Sequence, residues 1–265
     1  MRNNRELLRS VRYEVIPTST VADKVIESVP TDVTITVTAS PTKGLAPTLD
    51  LAERLAGHGY RVVPHLSARL VTDDVHLKEI VARLVTAGVD DVFVPAGDAD
   101  PPAGRYHSAL DVLVELTALG RPFRHVGITG YPESHPAIDD DIVVQAMWDK
   151  RAHATYIVSN LCFDARLIAD WVRRVRRRGV ALPIQLGLAG PVERTKLLAM
   201  ASKIGVGEST RFLARHSRWF ARLAAGYSPE RLLAKLTDED LAGLHIFTFN
   251  QVAETERWRT RLSQQ

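Results

Sequence analysis

The sequence predicts a single (β/α)8 TIM barrel, and three observations predict it. Short apolar, β-branched runs recur eight times along 265 residues. Amphipathic stretches separate them, and strict β-α alternation of this kind gives a parallel sheet flanked by helices. Several runs are apolar throughout, as strands covered on both faces should be. An open doubly wound sheet is the competing architecture, and the count of eight strands favours the barrel.

The candidate strands are RYEVI (12–16), DVTITVT (32–38), YRVVPHL (60–66), DVFVPA (91–96), RHVGITG (124–130), TYIVSN (155–160), PIQLGL (183–188) and LHIFTF (244–249). Between them, APTLDLAERLAGHG has Pro47 near its start and Gly57 and Gly59 at its end, the asymmetry of a helix. TDDVHLKEIVARLVTAG opens on a Thr/Asp cap and stops at Gly88, and DARLIADWVRRVRRRG runs from Asp164 to Gly179. The spacing breaks once, where about 55 residues separate PIQLGL from LHIFTF and carry helical patterns near 192–204, 208–225, 229–235 and 238–242. Residues 1–265 therefore read as one barrel domain with extra helices between strands 7 and 8, the inserted segment being 205–243.

Apolar residues make up 45% of the chain and charged residues 25%, the balance of a soluble globular protein. A net charge of +3 permits anionic ligands without demanding nucleic acid. Cys162 is the one cysteine, which rules out an internal disulfide and points to a reducing, cytoplasmic setting. The start, MRNNRELLRS, lacks the apolar stretch of a signal peptide, and no apolar run has the ~18 residues of a spanning helix. The basic run RRVRRRG (173–179) falls at a helix end, where arginines oppose the negative end of the dipole and stay solvated. A phosphate or polyglutamate contact is the sharper alternative there, and an RNA footprint the remoter one.

In a barrel, reactive groups gather at the C-terminal strand ends and in the loops that follow. Polar residues gather there in this sequence: Thr38, His65, Asp98, Tyr131, Glu133, His135, Asn160, Thr248 and Asn250. Glu14 alone lies within a strand, and Tyr13 and Val15 would face the opposite side. A Glu facing the lumen should have its pKa raised by low dielectric, which makes a usable general acid. The bland alternative is a Glu tied to an Arg or to backbone amides. Other chemistries fit poorly. The nine histidines include no His-x-His or HExxH pair for a metallohydrolase. No Lys stands at a strand end for a Schiff base, GVGEST (205–210) lacks the Lys of a phosphate loop, and Cys162 reads as core.

Taken in order, the strand-end motifs resemble those of the methylenetetrahydrofolate reductase family. YEVIP (13–17) resembles FEFFP, TVTAS (36–40) resembles VTYGA, and PHLSA (64–68) is similar to PHLTC. PAGDAD (95–100) resembles the loop that contains RGD, and YPESHP (131–136) matches YPExHP. NLCFD (160–164) resembles QFFFD, and IFTFNQ (246–251) resembles FYTLNR. The resemblance implies a (β/α)8 barrel that reduces 5,10-methylenetetrahydrofolate to 5-methyltetrahydrofolate, with a tetrahydrofolate derivative as its small-molecule partner. Glu14 then takes the place of the general acid and Asp98 that of the carboxylate beside the pterin. Asn160, Phe249 and Thr38 fall at substrate- or pocket-lining positions, and His65, Tyr131 and His135 at positions that line the flavin pocket.

The departures bear on the cofactor. The Arg before Gly-Asp is Ala96 here, and the helix VVQAMWDKRAHA (143–154) offers Gln145, Trp148 and Asp149 where the family has flavin-binding residues. An acid opposite a pyrophosphate repels it. The chain is therefore identified as a member of a divergent, flavin-independent branch in which NADH or NADPH hands its hydride directly to folate and FAD is not expected. A tetrahydrofolate-dependent methyltransferase or O-demethylase on the same fold, or a folate-binding protein without turnover, are the alternatives.

Overall fold

The computed structural model describes residues 4–133, 140–191, 228–236 and 240–264. Helix α1 (Asn4–Arg9) leads into β1 (Val11–Val15), followed by α2 (Val21–Ser28), β2 (Thr34–Val37), α3 (Ala46–Gly57) and β3 (Val62–Pro64). After a 3-10 turn (Ala68–Leu70) come α4 (Asp74–Thr86), β4 (Asp91–Phe93), α5 (Ala109–Ala118), β5 (His125–Gly130) and α6 (Asp140–Lys150). β6 (Tyr156–Ser159), α7 (Ala165–Arg177) and β7 (Ile184–Ala189) follow, then α8 (Pro229–Leu233), β8 (Gly243–Phe247) and α9 (Val252–Ser263).

The strands are parallel and hydrogen-bonded in the order β3-β2-β1-β8-β7-β6-β5-β4. The two ends of this sheet meet through a bridge between His65 and Phe93, with Leu66 N–H donating to the Phe93 carbonyl at 2.8 Å. The chain is thus a single (β/α)8 barrel. β3 and β4 have only three residues each, shorter than their apolar runs; past them single backbone bonds continue, His65 N–H to Val37 O and Val94 N–H to Gly127 O, both at 2.9 Å. Of the inserted segment, 228–236 and 240–243 are described; GVGEST and the patterns at 192–204 and 208–225 lie outside the described residues.

The helices form where the sequence carries their start and stop signals. Asp73 caps α4 by accepting from His76 N–H at 2.8 Å, and Gly88 then turns the chain out at φ 76°. Its buried stripe is Leu77, Ile80 and Leu84, each contributing about 1.5–3 kcal/mol by leaving water. Asp164 caps α7, which buries Ile168, Trp171, Val172 and Val175 while its arginines face outward. α1 escapes the sequence pattern because only Leu7 and Leu8 mark it as a packed helix. Among the described residues no helix is long and apolar enough to cross a membrane.

Two layers of core hold the barrel. The larger lies between sheet and helices, and a smaller one, Val63, Phe93, Tyr156 and Val158, fills the lumen. Gly187 in β7 is needed for close approach, since a Cβ there would collide with the Ser159 backbone carbonyl. Gly187→Ala should cost about 3 kcal/mol, the upper range for overpacking, and thermal unfolding should show a midpoint on the order of 10 °C lower. An unchanged midpoint would mean that β6 and β7 can part there freely.

Candidate active site

Alternate residues of each strand point into the lumen, and the register decides which. Tyr13 points outward, its hydroxyl donating to Glu256 on α9 at 2.7 Å, so Arg12 and Glu14 point inward. Arg12 reaches across the lumen to β4 and β6. Its Nη1 donates to Asp91 Oδ2 and to the Tyr156 hydroxyl, both at 2.9 Å, and that hydroxyl donates to Asp91 Oδ1 at 2.8 Å. Since β1, β4 and β6 are not neighbours in the sheet, these groups meet only through the barrel interior. Gln185 is buried on β7, its Oε1 without a hydrogen-bond partner among the described residues. The N-terminal end of the lumen is therefore filled by a paired, hydrogen-bonded cluster, as buried charges require.

One pleat above Arg12, toward the C-terminal strand ends, sits Glu14. Its Oε2 lies 3.0 Å from His245 Nε2 on β8 and 3.8 Å from His65 Nε2 after β3. The side chain of Glu14 is 16% exposed, that of His65 9% and that of His245 2%. His65 leans on the Phe93 ring at 4.8 Å, and His245 on Phe247 at 5.0 Å. Thr36, the Cα partner of Glu14 on β2, is buried beside them. Among the described residues, Thr36 Oγ1, His65 Nε2 and His245 Nδ1 are buried polar atoms without a hydrogen-bond partner.

This geometry corrects the expected titration of Glu14. Burial does pull its carboxyl upward, but the hydrogen bond from His245, the charge of His245 and then that of His65 outweigh it, and the net direction is down from 4.5. The ionised form is favoured. Sequence reasoning weighed desolvation alone and foresaw neither histidine as a neighbour. His65 moves down to about 4, chiefly by burial, so its ring is neutral at pH 7.

The remaining predicted residues ring the mouth. Thr38 is half-buried after β2; its N–H donates to Val15 O at 3.0 Å and its carbonyl accepts from the Thr48 hydroxyl at 2.8 Å. Asp98 is exposed in the loop after β4. Arg69 ties that loop down, its Nε donating to His107 O at 3.0 Å and its Nη1 to Ala99 O at 3.4 Å. Tyr131 lies close enough to Asp98 to feel its charge: burial first, then Asp98, raise the phenol against a hydrogen bond with Thr129. Asn160 follows β6, and its Oδ1 accepts from Leu161 N–H at 2.8 Å. Phe249 and Asn250 both take left-handed backbone, at φ 50° and 60°. Asn250 secures that turn by accepting from Ile16 N–H at 2.8 Å and donating to Ile16 O at 2.9 Å. Thr248 joins it, its hydroxyl donating to Glu14 O at 2.6 Å. Thr248 and Asn250 thus fasten β1 to the β8 turn, and Phe249 is presented between them. His135 lies outside the described residues.

His245 is the residue that sequence reading missed. The signal was a polar residue inside an apolar run, the same signal that singled out Glu14. Arg12, Asp91, Tyr156 and Gln185 carried it too.

On α6, Gln145 Nε2 donates to Asp149 Oδ1 at 2.8 Å on the exposed face. Arg151 is stacked over the Trp148 ring at 3.3 Å, and Lys150 is buried, its amine pushed down to about 8. The described side chains of α6 therefore present an acid, Asp149, and a buried lysine where the resemblance implies flavin-binding residues. Cys162 is buried core, its thiol pushed up to about 12 by burial. The basic run closes α7 as a helix end: Arg176 pairs with Asp240 at 2.6 Å and donates to Val180 O and Leu182 O.

Among solved structures, an oxaloacetate acetylhydrolase resembles this chain with a TM-score of 0.56 at 13% identity, over 94% of this chain and 80% of its own. A Burkholderia cenocepacia protein described as a phosphonomutase gives 0.55 at 11%, over 98% and 96%. A lyase/mutase from the same organism gives 0.52 at 14%, over 98% and 86%. At such identities the likeness establishes the barrel alone. It corrects one expectation: a flavin-independent branch standing beside the reductases implies reductase barrels as neighbours, whereas these are a hydrolase and lyase/mutase barrels. The branch placement is withdrawn. The sequence itself matches the family model for methylenetetrahydrofolate reductase over residues 18–216. That span takes in the motifs from TVTAS to NLCFD, while Glu14 and His245 fall outside it. On this match across most of its length, the chain belongs to the methylenetetrahydrofolate reductase family.

Proposed function

We propose that this protein reduces 5,10-methylenetetrahydrofolate to 5-methyltetrahydrofolate with a hydride from NADH or NADPH, without flavin. The observation that carries the reading is Glu14, held in the lumen 3.0 Å from His245 Nε2 at the C-terminal end of a barrel of this family. Opening the folate ring needs one proton on the aminobenzoyl-side nitrogen. The carbon–nitrogen bond then breaks, its electron pair stays on that nitrogen, and the methylene carbon is left as an iminium. The nicotinamide supplies the hydride that reduces that carbon.

The residues of this chain govern the proton. Glu14 is ionised in the free protein, so it acts as an acid only after loading a proton, and His245 is placed to share one with it. Substrate seated over the mouth removes the remaining water from Glu14, which favours its neutral form. Asp98 would stabilise positive charge developing on the pterin side. The amide NH2 of Asn160 would hydrogen-bond the pterin, with Phe249 against its face.

Mixing purified protein with NADH and methylenetetrahydrofolate, without added flavin, tests the reading. NADH should be consumed only when the folate is present, and methyltetrahydrofolate should accumulate in equal amount. No folate-dependent consumption of NADH or NADPH, with or without added FAD, would refute it; consumption only with FAD would overturn the direct hydride step.

A further inference from the structure

Between the start of α7 and α8 lies a cleft of about 440 Å³ that the proposed chemistry does not use. Three cationic side chains line it: Arg166 from the first turn of α7, and Arg231 and Lys235 from α8 and the residues after it. Asp164 is the one acid in the lining, and its Oδ1 accepts from Arg166 N–H at 2.9 Å as the cap of α7. The neighbouring Glu230 is turned away, accepting from Trp258 Nε1 and from the Ser228 hydroxyl, both at 2.6 Å. Among the described residues no acid forms an ion pair with Arg166, Arg231 or Lys235, whereas Arg173 and Arg176 further along α7 pair with Asp170 and Asp240. Three like charges facing one cleft repel one another, and an anion relieves that repulsion. The positive end of the α7 dipole adds to the same field.

The cleft stands next to the folate site in the chain. Phe163, which also lines it, is three residues beyond Asn160, in the same loop after β6. We infer that Arg166, Arg231 and Lys235 form an anion subsite for the carboxylates of a γ-glutamyl tail on the folate. This rests on the folate reading above. A phosphate of the dinucleotide has the same chemistry and is the other source such a subsite could serve.

Equilibrium binding separates these cases, using tetrahydrofolate with one glutamate, tetrahydrofolate with three, tri-γ-glutamate alone, NADH and NADPH. Wild-type protein should hold the triglutamate more tightly than the monoglutamate. The doubly substituted Arg231→Gln, Lys235→Gln protein should lose roughly tenfold for the triglutamate and so erase that difference. Arg166→Gln, on a separate element, should act in the same direction, and added salt should weaken the wild-type preference. A loss confined to NADPH would keep the anion subsite and assign it to the dinucleotide, overturning the glutamyl assignment. Equal affinities for all pairs in wild type and variants would overturn the subsite itself. If neither tetrahydrofolate binds, the folate reading has failed, and tri-γ-glutamate alone still reports on the cleft.

Discussion

Glu14→Gln should lower turnover of methylenetetrahydrofolate by roughly 10²–10⁴-fold, the usual worth of a positioned acid. Gln matches Glu in shape and can still bond His245 Nε2, so the barrel stays folded and folate binding changes far less than turnover. What disappears is the proton. His245→Leu acts differently. It removes the hydrogen bond and the charge that do most to hold Glu14 low, leaving burial opposed only by His65. The Glu14 carboxyl should then titrate above its ordinary range, and the limb of the pH–turnover profile on which turnover falls as pH rises should move upward. A Glu14→Gln protein with wild-type turnover would remove Glu14 from the mechanism. An unshifted profile in His245→Leu would show that His245 does not set the titration of Glu14.

Acid unfolding provides the second large effect. His65 titrates near 4 in the folded chain against an ordinary 6.5, chiefly because burial penalises its charged form; Glu14 raises it and His245 lowers it. Between those values the unfolded chain binds the proton and the folded chain does not. Stability is therefore fully present above pH 6.5 and falls as pH drops toward 4, by on the order of 3 kcal/mol for this one group. Glu14 adds a loss in the same direction at lower pH, since its folded pKa is depressed: its contribution is present above about 4.5 and disappears as pH falls through the folded value. Urea unfolding at a series of pH values measures both. His65→Leu should flatten the slope between pH 6.5 and 4. A slope that persists unchanged in the variant would show that His65 is not a buried neutral ring.

The barrel was legible because a strand covered on both faces is an apolar run, and eight such runs cannot be concealed. The mouth was legible for the same reason: Asp98, Asn160 and Thr38 are polar residues where those runs stop. What the sequence withheld depends on register. Glu14 and His245 stand 231 positions apart and meet only because β1 lies beside β8. Without that pairing, the sequence offered desolvation as the only force on Glu14, and desolvation points the wrong way. Arg12, Asp91 and Tyr156 were hidden likewise, as three polar residues in three separate strands whose partnership exists only across the lumen.

The ionic cluster at the N-terminal end of the lumen has a kinetic consequence for that reaction. It closes the lumen at that end, so in the proposed reaction folate and nicotinamide would arrive and depart by one doorway. Whichever seats first lies beneath the other, and release must reverse that sequence. Initial-rate patterns should consequently be ordered, with the outer ligand leaving before the inner one.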